Sequence, residues 1–249
     1  MIKSITSMNL EVLYEDNHLI AVYKPAGILV QGDKSGKTNL MDGVKAHIKK
    51  KYNKPGNVFL GLLHRLDRPV SGIVLFAKTS KGAARLSEQF RNRSIKKIYH
   101  AMVVGKPPKQ KDKLIHYLKK DTGSKKAMAC EEQTFGCRRA ELEYELLKTK
   151  GNFSLLKIRL ASGRFHQIRF QLAAIGCPIA NDIKYGAAKN FIGGKNITLS
   201  ATGLSFQLAT KNEWKNISIP VPLEWKEYFD NIACLPQAGL TGFLGLLLL

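Results

Sequence analysis

The sequence predicts an α+β fold, a largely antiparallel mixed sheet with flanking helices, and three observations carry that prediction. Short apolar or alternating runs bounded by Gly, Pro, Asn or Asp recur along the chain, and such runs read as strands. A few windows carry helical apolar spacing behind a capping residue. Those windows do not alternate with the strands as crossover helices would, which argues against a parallel α/β sheet.

Taken in order, Leu10 to Tyr14 and His18 to Tyr23 alternate around Asp16-Asn17 and form a hairpin. Lys24-Pro25-Ala26-Gly27 breaks the second strand, and a polar loop follows from Gln31 to Lys37. Thr38 or Asn39 caps a helix with Leu40, Val44 and Ile48 on one face and lysines elsewhere. Lys54-Pro55-Gly56 turns the chain into two apolar runs, Val58 to Leu63 and Ile73 to Ala77, both read as buried strands. Ser80 caps a helix to about Asn92 with Ala83, Leu86 and Phe90 inward, and Lys96 to Val104 is the next strand.

Gly105 to Lys126 holds eight lysines and two aspartates and reads as a loop, either solvated or in contact with a polyanion. Glu141 to Leu146 alternates strictly, and Lys150-Gly151-Asn152 returns it as Phe153 to Leu160. Ser162 caps a helix from about Arg164, with Ile168, Leu172 and Ile175 at core spacing, ended by Gly176 and Pro178. Ile197 to Phe206 and Ile217 to Val221 are late strands, and Leu223 to Asp230 is a closing helix. One domain is thus expected over residues 10–230. Residues 1–9 are an extension without the apolar core of a signal peptide. Residues 231–249 are an apolar tail, expected to be disordered, whose run from Gly239 is shorter than the ~17 residues that span a bilayer.

The charge balance narrows the partners. Lys and Arg number 40 against 19 Asp and Glu, leaving +21. That excess points to a polyanion, nucleic acid before an anionic membrane. So few carboxylates weigh against a two-metal nuclease. Cys130, Cys137, Cys177 and Cys234 form no Cys-x-x-Cys pair and have no His at zinc-finger spacing. They are expected to be four free thiols in a reducing cytoplasm.

Between the two central apolar runs lies His64-Arg65-Leu66-Asp67-Arg68, with Asp67 its sole acid. On an extended backbone Arg65 and Asp67 share one side. Two flanking arginines are expected to keep the carboxylate ionised. By itself an Arg-x-Asp reads as a strand-end ion pair. With Ser71-Gly72 behind it, and with Lys97-Ile98-Tyr99 and Ser162-Gly163-Arg164-Phe165-His166-Gln167-Ile168-Arg169 further on, the string resembles the RluA-type RNA pseudouridine synthases. The resemblance runs from about Leu10 to about Tyr228, with three motifs in the family's order. It implies the pseudouridine synthase fold; the separate N-terminal RNA-binding domain that some members of the family carry is not expected ahead of Leu10.

The resemblance also implies a reaction. Uridine becomes its C-glycoside isomer when the N1–C1′ bond breaks, the base turns, and C5 rejoins C1′. No redox change or group donor is involved, so neither cofactor nor metal is expected. A fixed carboxylate beside the ribose is needed, to attack C1′ or C6 or to move a proton, and the motif assigns that place to Asp67. Arg169 is then the cation partner of Asp67, and Tyr99 the aromatic that stacks on the base and relays a proton. Arg65 enters the helix as the uridine leaves it. His64, Arg68, Arg164, His166 and Gln167 are expected at the RNA. Pro69-Val70 and Phe165 stand where relatives carry other residues. The expected protein is a cytoplasmic monomer acting on ribosomal or transfer RNA without a membrane. A non-catalytic RNA-binding factor on the same fold and a glycoside hydrolase remain rival readings. The hydrolase lacks a second carboxylate in the sequence motifs.

Overall fold

A computed structural model describes residues 10–33, 36, 38–188 and 196–230; the expected extension and apolar tail lie outside the described residues. The chain pairs strands β1 (Val12–Glu15) and β2 (Leu19–Lys24), then passes through helix α1 (Leu40–Lys51) and the short β3 (Gly61–Leu62) to β4 (Ser71–Ala77). Helix α2 (Ser80–Arg91) leads to β5 (Lys96–Val104), β6 (Lys111–Asp121), β7 (Lys126–Ala129), β8 (Arg138–Lys150) and β9 (Phe153–Leu160). Helix α3 (Gln167–Ala174), a 3₁₀ turn (Ile183–Tyr185), β10 (Leu199–Gln207), β11 (Trp214–Ser218) and α4 (Leu223–Asp230) complete it. The fold is α+β, as predicted.

The strands join in one sheet of order β1-β2-β4-β10-β5-β9-β8-β6-β7, with β11 on β10 and β3 on β4. Two antiparallel halves meet at β10. Its parallel pairing with β4, Ser200 opposite Ser71 and Ala201 opposite Gly72, is the seam. Gly72 is required there: φ is +122°, and a Cβ would lie 2.2 Å from the Ala201 carbonyl oxygen. Tyr99 pairs with Ala201 from the other side, so Gly72, Ala201 and Tyr99 lie abreast on three neighbouring strands. The loop carrying Asp67 is thereby delivered beside Tyr99.

β4 is buried on both faces, which its unbroken apolar run requires. Val74 and Phe76 pack with Leu40, Val44 and Ile48 of α1 in the large core. Ile73 and Leu75 pack with Leu86 of α2 and Phe206 of β10 in a second cluster. Trp225 of α4 closes a third with Met102 and Leu155. Asn39 caps α1 by accepting from the Asp42 N–H. Thr79, one residue before the expected Ser80, caps α2 by accepting from the Gly82 N–H.

Several expectations are corrected. Of Val58 to Leu63 only Gly61 and Leu62 pair as strand; Val58 and Leu60 enter the core from coil while Phe59 points out at 51% exposure. The lysine-rich 105–126 segment is largely a strand, paired with β8 along eight positions from Lys111 to Leu118. Buried Leu114 and Leu118 alternate with surface lysines, and the lysines mask that pattern. Lys111 pairs with Glu145 at 2.8 Å and Lys113 with Glu141 at 2.5 Å, so these two cations are neutralised across the ladder. Cys130 and Cys137 are not free thiols but a disulfide across seven residues. Cys177 is free and buried, and Cys234 lies outside the described residues. Among the described residues no helix is long and apolar enough to cross a membrane.

Candidate active site

The β3–β4 connection carries Asp67, and local bonds fix its shape. The Val70 N–H donates to the Asp67 carbonyl at 3.0 Å, closing a turn. Leu66 and Val70 anchor that turn in the core. The Gly27 N–H donates to the Arg68 carbonyl at 2.7 Å, and Arg68 Nε donates back to the Gly27 carbonyl at 2.9 Å. Lys24, fully buried, binds the two loops together. Its ammonium donates to the carbonyls of Pro25 (3.0 Å), Ile28 (2.8 Å) and Arg68 (3.2 Å). Burial lowers its pKa to about 8, against the pull of Asp67.

Asp67 faces a small pocket of about 100 Å³ lined also by Tyr99, Arg65, Arg164, His166 and Arg169. Arg169 arrives on the first turn of α3, 6% exposed. It grips Asp182 through a fork, Nε to Oδ2 at 2.7 Å and NH2 to Oδ1 at 2.8 Å. NH1 is left for the His166 Nε2 at 2.9 Å and, more loosely, Asp67 Oδ2 at 3.4 Å. The guanidinium also lies 5.1 Å over the Tyr185 ring.

These distances revise the expected electrostatics. Asp67 is not held low by Arg65 and Arg68. Burial raises its pKa, Arg169 opposes that, and Asp182 adds to it. Tyr99 is 8% exposed, and burial with the nearby Asp67 raises its pKa, so the phenol keeps its proton. His166 is held neutral: burial, then Arg169, Lys184 and Lys120, push its pKa down to about 3. Because Nε2 accepts from Arg169, the ring proton sits on Nδ1 and goes to the Tyr185 hydroxyl at 2.9 Å. His166 occupies the left-handed region at φ 49° as the residue preceding α3, which starts the helix later than Arg164. Ser162 does not cap it. Its hydroxyl instead donates to Gln167 Oε1 at 2.8 Å.

The other expected contacts divide. Arg65 is exposed and lines the pocket, and Arg164 lines it half-buried. Gln167 does not face solvent; it is 2% exposed, and its amide bonds Ser162, the Arg164 N–H, the Glu141 carbonyl and Gln171. These bonds shape the loop, and Gln167 also lines the pocket. His64 Nε2 accepts from the Leu75 N–H at 3.0 Å, and its ring stacks on Phe90. Burial and then Lys97 push its pKa down to about 3. Three residues were absent from the expected set: Lys24, Asp182 and Tyr185. The Lys24-Pro25-x-Gly27 string was a usable signal for the first, whereas the other two sit in no motif. Asp182 is a second carboxylate, yet it is 1% exposed with both oxygens on Arg169, so it cannot activate water.

Among the described residues no cluster of three or more His, Cys, Asp or Glu side chains could hold a metal ion. The family model described as RNA pseudouridylate synthase matches residues 18–174. A ribosomal large subunit pseudouridine synthase C of Vibrio parahaemolyticus is 30% identical over 84% of this chain and 65% of its own. The corresponding protein of Rickettsia bellii is 32% identical over 92% of this chain and 72% of its own. A ribosomal large subunit pseudouridine synthase D of Zymomonas mobilis is 34% identical over 72% and 57%. The chain thus spans between 57% and 72% of the length of these relatives. In fold it resembles the solved human RNA pseudouridylate synthase domain containing 4, with TM-score 0.71, 22% identity, and coverage of 85% of this chain and 88% of that one.

Proposed function

The chain belongs to the RNA pseudouridylate synthase family, and from that premise we propose that it isomerises uridines in structured ribosomal or transfer RNA to pseudouridine. The observation that carries the reading is the convergence of Asp67, Tyr99 and Arg169, from three separate segments, on one pocket. A pocket of about 100 Å³ suits one extruded base and excludes a duplex, so the uridine must leave its stack first. Exposed Arg65 at the rim fills the space the base vacates.

Asp67 supplies the carboxylate beside the ribose. It attacks C1′ or C6, or takes the proton that C5 releases on rejoining. Tyr99, protonated and on the pocket wall, stacks on the base and relays that proton. Arg169, locked by Asp182 and steered by His166, keeps one N–H aimed at Asp67 and no more than loosely bonded to it, so the carboxylate stays free to react. The protein acts as a monomer, without cofactor, metal or membrane. The cytoplasmic location rests on the RNA substrate alone, since the Cys130–Cys137 pair removes the thiol argument.

The names of the relatives favour large-subunit ribosomal RNA over transfer RNA. The non-catalytic rival has to explain an intact set of Asp67, Tyr99 and Arg169, and the hydrolase rival has no second carboxylate free for water, since both Asp182 oxygens are held by Arg169. Tritium release from ribosomal RNA labelled at C5 of uridine tests all three. Release with pseudouridine formed is the expected result. Binding without release supports the idle factor, and an abasic site supports hydrolysis.

A further inference from the structure

The Lys97-Ile98-Tyr99 segment leaves its first residue without a task in the chemistry above. Residues two apart on a strand face the same side, so Lys97 looks from β5 in the direction of Tyr99. With Arg65, Arg91, Arg93 and Arg164 it lines a groove of about 650 Å³ that runs from Asp67 past the C-terminal end of α2. Asp67 is the single carboxylate among the residues lining that groove. The Lys97 ammonium lies 3.7 Å from where a Cβ on Gly163 would stand. A Cβ there would meet the ammonium in ordinary contact, so a bulkier side chain at 163 would lie against it, and both residues line the groove. The Lys97 ammonium forms no side-chain hydrogen bond or ion pair among the described residues. Its neighbours have its own sign: burial, then Arg93 and Arg164, lower its pKa, and burial, Arg93 and Arg138 do the same to Arg164. Lys97 and Arg164 are half-buried and Arg93 is exposed beside them; cations gathered in such excess over carboxylates repel one another in the free protein, and an anion among them relieves that repulsion.

We propose that Lys97, with Arg93 and Arg164 beside it, binds one phosphodiester of the RNA backbone next to the extruded uridine, on the side of the groove where Gly163 lies against the ammonium. This rests on RNA being the substrate, and it gives the groove a positioning role: the phosphate contact sets which nucleotide reaches Asp67.

The test is binding of a fluorescein-labelled, uridine-containing RNA hairpin by anisotropy, at about 50 to 300 mM KCl, to the full chain. Lys97→Met should weaken binding roughly fivefold to tenfold at low salt and reduce the slope of log affinity against log salt by about 1. Lys97→Arg should retain the slope. Gly163→Val keeps every charge but covers the ammonium, and should behave as Lys97→Met does. Lys50→Met, exposed on α1, should change nothing. In thermal melts the free Lys97→Met protein should be at least as stable as wild type, because a repelling charge is gone. A wild-type slope in Lys97→Met, wild-type binding by Gly163→Val, or a lowered melting temperature in Lys97→Met would each overturn the phosphate contact. A slope change in a protein that makes no pseudouridine would keep the contact and refute the proposed activity. Pseudouridine formation with an unchanged slope would do the reverse.

Discussion

At Asp67 two influences oppose each other: burial raises the pKa of the carboxyl, and the Arg169 guanidinium 3.4 Å away lowers it. Arg169 is shared, because Asp182 takes its stronger, forked pair of bonds. Burial wins, so the Asp67 pKa is raised from its ordinary value. If it reacts as the anion, the acidic limb of the pH–rate profile lies at higher pH than for an unperturbed aspartate. Asp182 contributes to that upward shift, so Asp182→Asn should move the limb to lower pH. The same change leaves the buried guanidinium short of a partner and should cost about 3 kcal/mol of stability. Single-turnover rates across pH, beside a denaturant melt, check both, and a limb that moves upward would contradict the assignment. Asp67, Tyr99 and Arg169 were legible because each lies in a motif. Asp182 was not, since a single aspartate in Ala180-Asn181-Asp182-Ile183 carries no pattern, and its meaning depends on a partner 13 residues away.

Elements are tied together by a small number of polar clasps, of which Glu15 at the end of β1 is the best defined. Its carboxylate accepts from Lys51 (2.6 Å) and the Tyr52 hydroxyl (2.8 Å) at the end of α1, and from Lys78 (2.6 Å) just after β4. Burial alone would raise the Glu15 pKa, but those three bonds outweigh it and lower it from 4.5 to about 2. A folded-state pKa below the unfolded value means that the stabilisation is complete above pH 4.5 and is lost as pH falls toward 2. Glu15→Gln should therefore cost about 2 kcal/mol at pH 7, after allowance for solvent screening at exposed Lys51. It should also flatten the pH dependence of stability in that window. Urea midpoints at pH 7 and at pH 3 measure this, and an equal loss at both would argue against the ion cluster. β9 was readable to both ends, and the start of α4 at Leu223 with it, because their patterns are purely local. β6 was not, because its lysines outnumber the two leucines that set its inward face.

Across the whole molecule, α+β composition could be read from local patterns, whereas the seam at β10 could not. Pairing Gly72 with Ala201 and Ala201 with Tyr99 joins residues more than 100 positions apart, and no periodicity records it. The Ser71-Gly72 pair marked the place without revealing the cause, which is the close approach of a neighbouring backbone. The disulfide escaped notice for a similar reason: a spacing of seven matches no metal or redox motif. What the seam achieves is to hold the Asp67 loop, Tyr99 and the groove behind them in one frame, with a net charge of +21 to draw RNA onto it. The claim that this frame serves isomerisation through Asp67 is tested by one paired measurement on the same C5-tritiated RNA: single-turnover tritium release and binding affinity, for wild type and for Asp67→Asn. The variant keeps the side chain's shape and removes its charge. Its affinity should stay within about twofold of wild type while release slows by roughly 10³-fold or more. Release by Asp67→Asn within about tenfold of wild type would remove Asp67 from the mechanism.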